Sequence, residues 1–125
     1  MSTWDASGHA ALTGPEEVRI VTRRRDGSLR RPRIIWIVPV GEDRVFIRST
    51  NGRGADWFRW ALATGEGQIL AGGGTYEVTF AEAADADLAG VDEGYRAKYG
   101  RRYASIVDHL LDAGPRAATL ELHPA

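Results

Sequence analysis

The chain of 125 residues is 43% apolar and 26% charged, a composition typical of one globular domain over residues 1–125. Its formal net charge is −1 and it contains no cysteine, which excludes disulfides, thiolate catalysis and thiolate metal sites. The N-terminus lacks the basic start and apolar run of a signal peptide, and no apolar stretch reaches the length of a membrane span, so we expect a cytoplasmic protein with no membrane partner.

The first third of the chain predicts an N-terminal arm followed by a β-hairpin. Residues 1–15 are expected to form a loose arm or a short helix. Residues 17–22 alternate as in a strand, and Asp26 with Gly27 is a strong turn signal, so the arginine-rich segment after the strand should form a hairpin tip. Residues 34–40 are nearly all apolar, which is typical of a strand buried on both faces.

The centre of the chain carries the parts of an anion-binding site. A predicted strand over residues 44–48 ends in hydroxyl side chains at Ser49 and Thr50; a glycine-rich turn with Arg53 then leads into a predicted helix that Gly65 should end. Unpaired backbone N–H groups, the positive end of a helix dipole, hydroxyls and a guanidinium group together suit a phosphate. A plain strand-to-helix connection, in which the glycines serve only the turn, explains the pattern equally well.

The rest of the chain predicts another hairpin, two helices and a last strand. The predicted elements are a hairpin of residues 67–71 and 75–80, helices over residues 81–100 and 103–111, and a strand over residues 118–123. Gly114 and Pro115 are expected to end the second helix. About six strands, joined mostly by short turns, favour a mainly β (α+β) fold: a six-stranded antiparallel β-barrel with flanking helices.

The sequence identifies no catalytic residue and no metal site. Its three histidines lie far apart, no Gly-x-Ser-x-Gly motif occurs, and the carboxylates of residues 85–93 are typical of a solvated helix face. The strongest charge feature is the arginine-rich hairpin, which we define as residues 23–33. Its guanidinium groups suit phosphate oxygens, although a charge run is equally compatible with a solvated hairpin.

Segments from most of the chain resemble an uncharacterised bacterial family. They are TRRRDGSLRRP, VFIRSTNGRGADWFRWALATGEGQI, YRAKYG and the terminal ATLEL strand, and the resemblance covers residues 17–123. That family is similar to the split β-barrel proteins that bind flavins and deazaflavins, among them pyridoxamine-phosphate-oxidase-like and deazaflavin-dependent nitroreductase-like proteins. The resemblance implies a split β-barrel that assembles as a homodimer.

In the larger superfamily, the central strand and the helix start after it hold the cofactor phosphate, and the basic hairpin contributes charge. The residues that the resemblance implicates in cofactor binding are Arg48, Ser49, Thr50, Gly52, Arg53, Trp57, Arg25 and Arg31. Trp36, Tyr95 and Tyr99 could line the ring side or belong to the core. Because surface substitutions usually alter stability by about 0.5 kcal/mol or less, loss of Arg48 or Arg53 should weaken binding and leave the barrel intact.

The resemblance implies that the cofactor is FMN or a deazaflavin coenzyme and that the protein is an oxidoreductase, which transfers a hydride to or from a small organic substrate. In such an enzyme the cofactor carries the chemistry and the protein supplies binding and orientation. A non-enzymatic binder that sequesters a phosphorylated or flavin-like ligand is the alternative. Nucleic-acid binding through the arginine-rich hairpin is less favoured, because the hairpin lacks the interleaved aromatic side chains of a single-strand platform.

Overall fold

Seven strands form one barrel-like sheet in the computed structural model, which describes residues 3–125. The strands are β1 Val18–Thr22, β2 Arg33–Ile35, β3 Ile37–Val40, β4 Arg44–Arg48, β5 Glu66–Ala71, β6 Gly74–Glu82 and β7 Thr119–Pro124. Their order across the sheet is β2-β1-β5-β6-β7-β4-β3, and every neighbouring pair is antiparallel. The predicted mainly β fold with flanking helices is therefore confirmed.

The two edge strands of this sheet, β2 and β3, follow one another in the chain with Trp36 alone between them. Ile35 pairs with β1, whereas Ile37 pairs with β4. One bent segment thus supplies both edges and closes the sheet on itself. The prediction of a single strand over residues 34–40, and with it the number of six strands, is corrected to seven because the chain changes neighbours at Trp36.

Five α-helices flank the sheet within residues 3–125. They are α1 Ala6–Thr13, α2 Asp56–Thr64, α3 Leu88–Tyr99, α4 Ala104–Leu110 and α5 Ala113–Arg116. Before α1, the buried Trp4 donates its indole N–H to Leu122 O over 2.9 Å, which ties the N-terminal segment to β7. The first two residues of the predicted arm lie outside the described residues. None of the described helices combines the length and apolarity needed to cross a membrane.

Two helix boundaries differ from the sequence-based prediction. Strand β6 continues to Glu82, which pairs with Leu120 of β7, so the helix predicted after it begins only at Leu88. Gly114 and Pro115 do not end a helix but lie within α5. Proline is tolerated in the first turn of a helix, because the N–H that it lacks has no intrahelical acceptor there.

Two apolar cores lie on opposite faces of β4. Val45 and Ile47 belong to the core inside the barrel, together with Phe58 of α2. Phe46 points the opposite way, into a second core formed with α3 and α4. Because these helices cover the outer face of the sheet, Arg48 on that face is also buried, with only 4% of its surface exposed.

Helix α3 packs closely against β3 because glycine stands at the contact. A Cβ atom at Gly94 would lie 3.0 Å from Pro39 O and 3.1 Å from Val38 Cβ. At contacts this short the neighbouring atoms must give way by a few tenths of an ångström, so an added side chain would strain the packing. At Gly90, one turn earlier, a Cβ atom would meet only the Val40 side chain, at 3.3 Å.

Replacing Gly94 with alanine should lower the free energy of unfolding by about 1–3 kcal/mol, the usual cost of overpacking. In a helix without such a contact, a change from glycine to alanine raises the free energy of unfolding by about 0.5–1 kcal/mol. A decrease in this variant would therefore show that α3 packs closely at Gly94. Chemical denaturation measures the free energy of unfolding of Gly94→Ala and of the milder control Gly90→Ala. A more stable Gly94→Ala protein would show that α3 does not press against β3.

Candidate functional site

A cavity of about 250 Å³ lies between the barrel wall and helices α2, α3 and α4. It is lined by Ile34, Ile35, Trp36, Arg48, Thr50, Trp57, Tyr95, Ile106 and Leu110. Most of these residues are apolar or aromatic, as is usual for a ligand pocket. Three predicted cofactor-binding residues, Arg48, Thr50 and Trp57, therefore meet here with Trp36 and Tyr95.

A more open cleft of about 450 Å³ lies at the turn between β5 and β6, where the glycines of residues 72–74 form part of its lining. None of its lining residues has a buried polar side-chain atom without a partner among the described residues, whereas the cavity beside Arg48 has two such atoms. Across residues 3–125, no group of three or more His, Asp or Glu side chains is arranged to hold a metal ion. The cavity beside Arg48 is therefore the candidate site.

Arg48 reaches the cavity from the end of β4 and is held by three neighbours. Its Nε donates to Thr119 Oγ1 over 2.8 Å, and its Nη1 donates to Asp92 Oδ1 over 2.6 Å and to Leu110 O over 2.9 Å. These bonds replace water around a buried charge, which would otherwise be costly to bury. The expectation that Arg48 lies at the surface is wrong, because α3 and α4 cover this face of the sheet.

Asp92 of α3 is shared by two arginines. Besides the bond from Arg48, its Oδ2 accepts a hydrogen bond from Arg116 Nε over 3.1 Å. One carboxylate thus faces two guanidinium groups, so the cluster of Arg48, Asp92 and Arg116 carries one excess positive charge, and of these three residues only Arg48 lines the cavity. That excess favours a ligand that brings an anionic group or a strong acceptor.

Two polar atoms at the cavity are buried and have no hydrogen-bond partner among the described residues: Nη2 of Arg48 and the hydroxyl of Tyr95. The guanidinium carbon of Arg48 lies 5.5 Å from the centroid of the Tyr95 ring. A buried donor without an acceptor costs about 1–3 kcal/mol, and native proteins leave few of them. Both residues line the cavity, but the two atoms have almost no accessible surface, so a ligand there would supply the missing acceptors only after a neighbouring side chain shifts.

The Tyr95 hydroxyl is suited to act as a hydrogen-bond donor. Burial raises the pKa of this phenol well above its usual value, and the nearby positive charge of Arg48 opposes that rise only in part. The phenol therefore stays protonated at neutral pH. A protonated phenol beside a guanidinium group presents two donors to the same ligand.

The glycine turn after β4 is fixed by contacts within the protein. Ser49 is buried and its Oγ has no partner among residues 3–125, while Thr50 O accepts a hydrogen bond from His109 Nε2 over 2.6 Å. Gly52 has a φ of +70°, and a Cβ atom there would lie 3.4 Å from Gly114 O. The glycine therefore lets the turn pack against α5.

Arg53 does not line the cavity. Its side chain is about half exposed, forms an ion pair with Glu82 and donates to Ala117 O over 2.8 Å. The hydrogen bond from Arg53 holds the pKa of Glu82 below its usual value. Arg48 and Arg53, which the sequence predicts at one phosphate, thus engage different partners, and only Arg48 lines the cavity.

The predicted hairpin residues separate in a similar way. Arg31 lines a smaller cavity of about 170 Å³, whereas Arg25 lines neither of the two cavities. The other residues of the smaller cavity are Arg24, Arg30, Arg33 and Trp60. Trp60 lies one turn after Trp57 on α2, so the two cavities share that helix.

Sequence reasoning missed Asp92, Arg116 and Trp60. The carboxylate of Asp92 was expected on a solvated helix face, yet it pairs with the most buried arginine of the site. One signal was present in the sequence: Arg48 alternates in phase with the apolar Phe46 along β4, on the face that also carries Arg44. A charge next to an apolar side chain on one face suggests a partner without identifying it.

The chain belongs to the bacterial family described as uncharacterized protein conserved in bacteria (DUF2255), whose sequence pattern matches residues 10–122. No curated protein matches the chain in sequence. Solved structures do match the chain in fold, and they support the barrel fold that the resemblance implies.

Three of these structures cover nearly all of the chain. A conserved hypothetical protein, Rv2991 from Mycobacterium tuberculosis, is 11% identical with a TM-score of 0.64, over 97% of this chain and 79% of that one. A Listeria innocua protein provisionally assigned as a pyridoxamine 5′-phosphate oxidase is 9% identical with a TM-score of 0.55, over 93% and 87%. An F420 reductase is 14% identical with a TM-score of 0.50, over 94% and 92%. Identities this low establish a shared fold.

The two central arginines should differ sharply in their effect on stability. Arg48→Met should lower the free energy of unfolding by about 3–5 kcal/mol, because breaking a buried ion pair leaves its partners without their bonds. Arg53→Met, which loses an exposed pair, should cost about 1 kcal/mol or less. Urea denaturation of both variants measures the difference. Equal, small effects would show that Arg48 is not buried in solution.

Proposed function

We propose that this member of the DUF2255 family binds a flavin-type cofactor, FMN or a deazaflavin coenzyme, in the cavity between the barrel and helices α2, α3 and α4. We infer further that it acts as an oxidoreductase. The observation that carries the proposal is the pair of unpartnered buried donors, Nη2 of Arg48 and the hydroxyl of Tyr95, in a cavity that is otherwise largely apolar.

The lining of the cavity fits a planar heteroaromatic ring. Trp36 and Trp57 provide aromatic surface, and Ile35 and Leu110 provide aliphatic surface. Trp36 is itself fixed by stacking on Tyr99, with 4.0 Å between the ring centroids and 3° between their planes. A flavin-type ring carries carbonyl oxygens and ring nitrogens, which are the acceptors that the two free donors need.

The size of the cavity limits how much of the cofactor it encloses. Ligand pockets commonly measure about 300–1,000 Å³, whereas this one measures about 250 Å³. We therefore expect it to hold one part of the cofactor, with the remainder outside. The excess positive charge around Asp92 makes an electron-rich part, such as a ring carbonyl or a phosphate, the one that faces Arg48.

The role of the chain in the reaction would be binding and orientation. When bound, such a cofactor supplies hydride transfer to or from a small organic substrate. Arg48 and Tyr95 would fix its orientation through directed hydrogen bonds, and the apolar lining would keep water away. The folds shared with the proteins named as a pyridoxamine 5′-phosphate oxidase and an F420 reductase support this class of function.

The proposal includes a homodimer in the cytoplasm. Ile34 and Ile106 are 59% and 44% exposed and stand at the cavity, where a second copy would remove them from water. The alternative function is a non-enzymatic binder that sequesters the same kind of ligand. The sequence lacks a nucleophile paired with a base, but this favours neither the oxidoreductase nor the sequestering protein, because the cofactor supplies the chemistry in an enzyme of this kind.

Conservative variants of the two donors should weaken cofactor binding. Arg48→Lys keeps a positive charge for Asp92 but lacks Nη2, so it should weaken binding about tenfold to a hundredfold, the usual effect of losing a hydrogen bond from a charged group. Tyr95→Phe should weaken binding about twofold to tenfold. Titration with FMN and with a deazaflavin coenzyme, followed by visible absorption, measures both.

The control for this titration is Arg53→Gln, which removes a guanidinium group from the glycine turn but not from the cavity. It should change the affinity by about twofold or less, because Arg53 already engages Glu82. If Arg53→Gln weakens binding as much as Arg48→Lys, the ligand sits at the turn and the cavity is not the site.

Turnover separates the enzyme from the sequestering protein. With the cofactor bound and a chemical reductant supplied, we expect electrons to pass to at least one acceptor in a panel of small quinones, nitroaromatics and enones. The loss of acceptor absorbance, compared with the free cofactor at equal concentration, is the measurement. Tight binding with no rate above that of the free cofactor would establish the sequestering function instead.

A further inference from the structure

Most arginines of the arginine-rich hairpin have no ion-pair partner among residues 3–125; Arg23, which pairs with Glu77, is the exception. Elsewhere most arginines form ion pairs, as Arg44 does with Asp87 and Glu121. Among residues 3–125, no carboxylate lies within 4.0 Å of the guanidinium groups of the following hairpin residues. They are Arg24, Arg25, Arg30, Arg31 and Arg33. The net charge of −1 thus conceals one basic region, residues 23–33, in which Asp26 is the only carboxylate.

Two of these guanidinium groups share a single indole ring. The Cζ atom of Arg30 lies 4.1 Å from the centroid of Trp60, and that of Arg33 lies 5.3 Å from it. Each contact is favourable by about 0.5–1 kcal/mol at an exposed site. The two cations repel each other, however, and an anion bound between them would remove that repulsion.

Arg30 also carries a buried donor without an acceptor. Its Nε is buried and has no hydrogen-bond partner among the described residues. The backbone beneath it is fixed, because Arg30 N donates to Thr22 O over 2.9 Å within the hairpin. A buried donor without an acceptor destabilises the fold by about 1–3 kcal/mol, so we expect a ligand to supply an acceptor for this Nε.

These groups surround a cavity of about 170 Å³ with no carboxylate in its lining. Arg24 is held at its rim by a hydrogen bond from Nη1 to Leu29 O over 3.0 Å. The volume suits a compact anion rather than a nucleoside. Guanidinium forks match the oxygen pairs of a phosphate, and four of them match the charge of a polyphosphate better than that of one carboxylate.

We infer that Trp60 and the arginines around it form a binding site for a phosphate polyanion of the pyrophosphate type, separate from the cavity beside Arg48. The phosphate comes either as a free anion or as the phosphate of a ligand whose other end enters the neighbouring cavity, since both cavities share α2. The site itself does not depend on the proposed cofactor function.

The direct test is calorimetric titration of the full chain with sodium pyrophosphate at about 0.05 M and about 0.15 M salt. The wild type should bind pyrophosphate at both salt concentrations. Arg30→Gln and Arg33→Gln should each weaken binding about tenfold to a hundredfold, and Trp60→Leu should weaken it as well. The matched control is Arg101→Gln, which removes the same charge from an exposed arginine outside the hairpin and should change the affinity by about twofold or less.

The environment of Arg30 supplies a second measurement that does not depend on affinity. In a nitrogen-15 spectrum of the arginine side chains, the Nε–H signal of Arg30 should shift on addition of pyrophosphate, and that of Arg101 should not. Thermal melting confirms that each variant is folded. No pyrophosphate binding to the wild type, or an equal loss in Arg101→Gln, would overturn the site.

Two further comparisons identify the source of the phosphate and distinguish a failure of this inference from a failure of the proposed function. If the phosphate belongs to a cofactor, Arg30→Gln should lower the affinity for FMN to that for riboflavin, which lacks the phosphate. If the anion is free, Arg30→Gln should weaken pyrophosphate binding and leave the affinity for FMN unchanged.

If Arg48→Lys abolishes pyrophosphate binding, the anion lies in the other cavity and the inference is contradicted. Pyrophosphate binding without any flavin binding would contradict only the proposed function.

Discussion

The buried ion pair between Arg48 and Asp92 is the constraint on which the site depends. A guanidinium group on the outer face of β4 lost most of its water when α3 and α4 covered that face, so the protein had to provide partners. Thr119 Oγ1, Asp92 and Leu110 O do so, and they bind β7, α3 and α4 to one side chain. These bonds engage Nε and Nη1 and leave Nη2 without a partner among residues 3–125, beside the cavity. The same interaction therefore holds the helices on the barrel and leaves one buried donor of a cavity-lining residue without a partner among residues 3–125.

Local features of the fold were predictable because they depend on neighbouring residues. The turn at Gly27 and the helix end at Gly65 require a positive φ, and both glycines have one, at +89° and +74°. Strand alternation likewise located β1, β4 and β7. The bend at Trp36 was not predictable, because a continuous apolar run does not reveal that its two halves pair with different strands.

The candidate site was predictable only in part, for a related reason. The sequence pointed to Arg48, Thr50 and Trp57, which do meet at one cavity, because they lie on one strand–turn–helix segment. The partners of Arg48 are 44 and 71 positions away, at Asp92 and Thr119, and no local pattern reveals such contacts. Contacts of this kind also explain why Arg53, close to Arg48 in sequence, engages Glu82 instead of the cavity.

The most direct test of the central claim, that Nη2 of Arg48 is kept for a ligand, is a crystal structure of the protein with FMN or a deazaflavin coenzyme bound. We expect an acceptor atom of the ligand within about 3 Å of Arg48 Nη2, with the Tyr95 hydroxyl donating to the same molecule. A ligand bound outside this cavity, or an Arg48 Nη2 that bonds to a protein acceptor once the ligand is present, would contradict the claim.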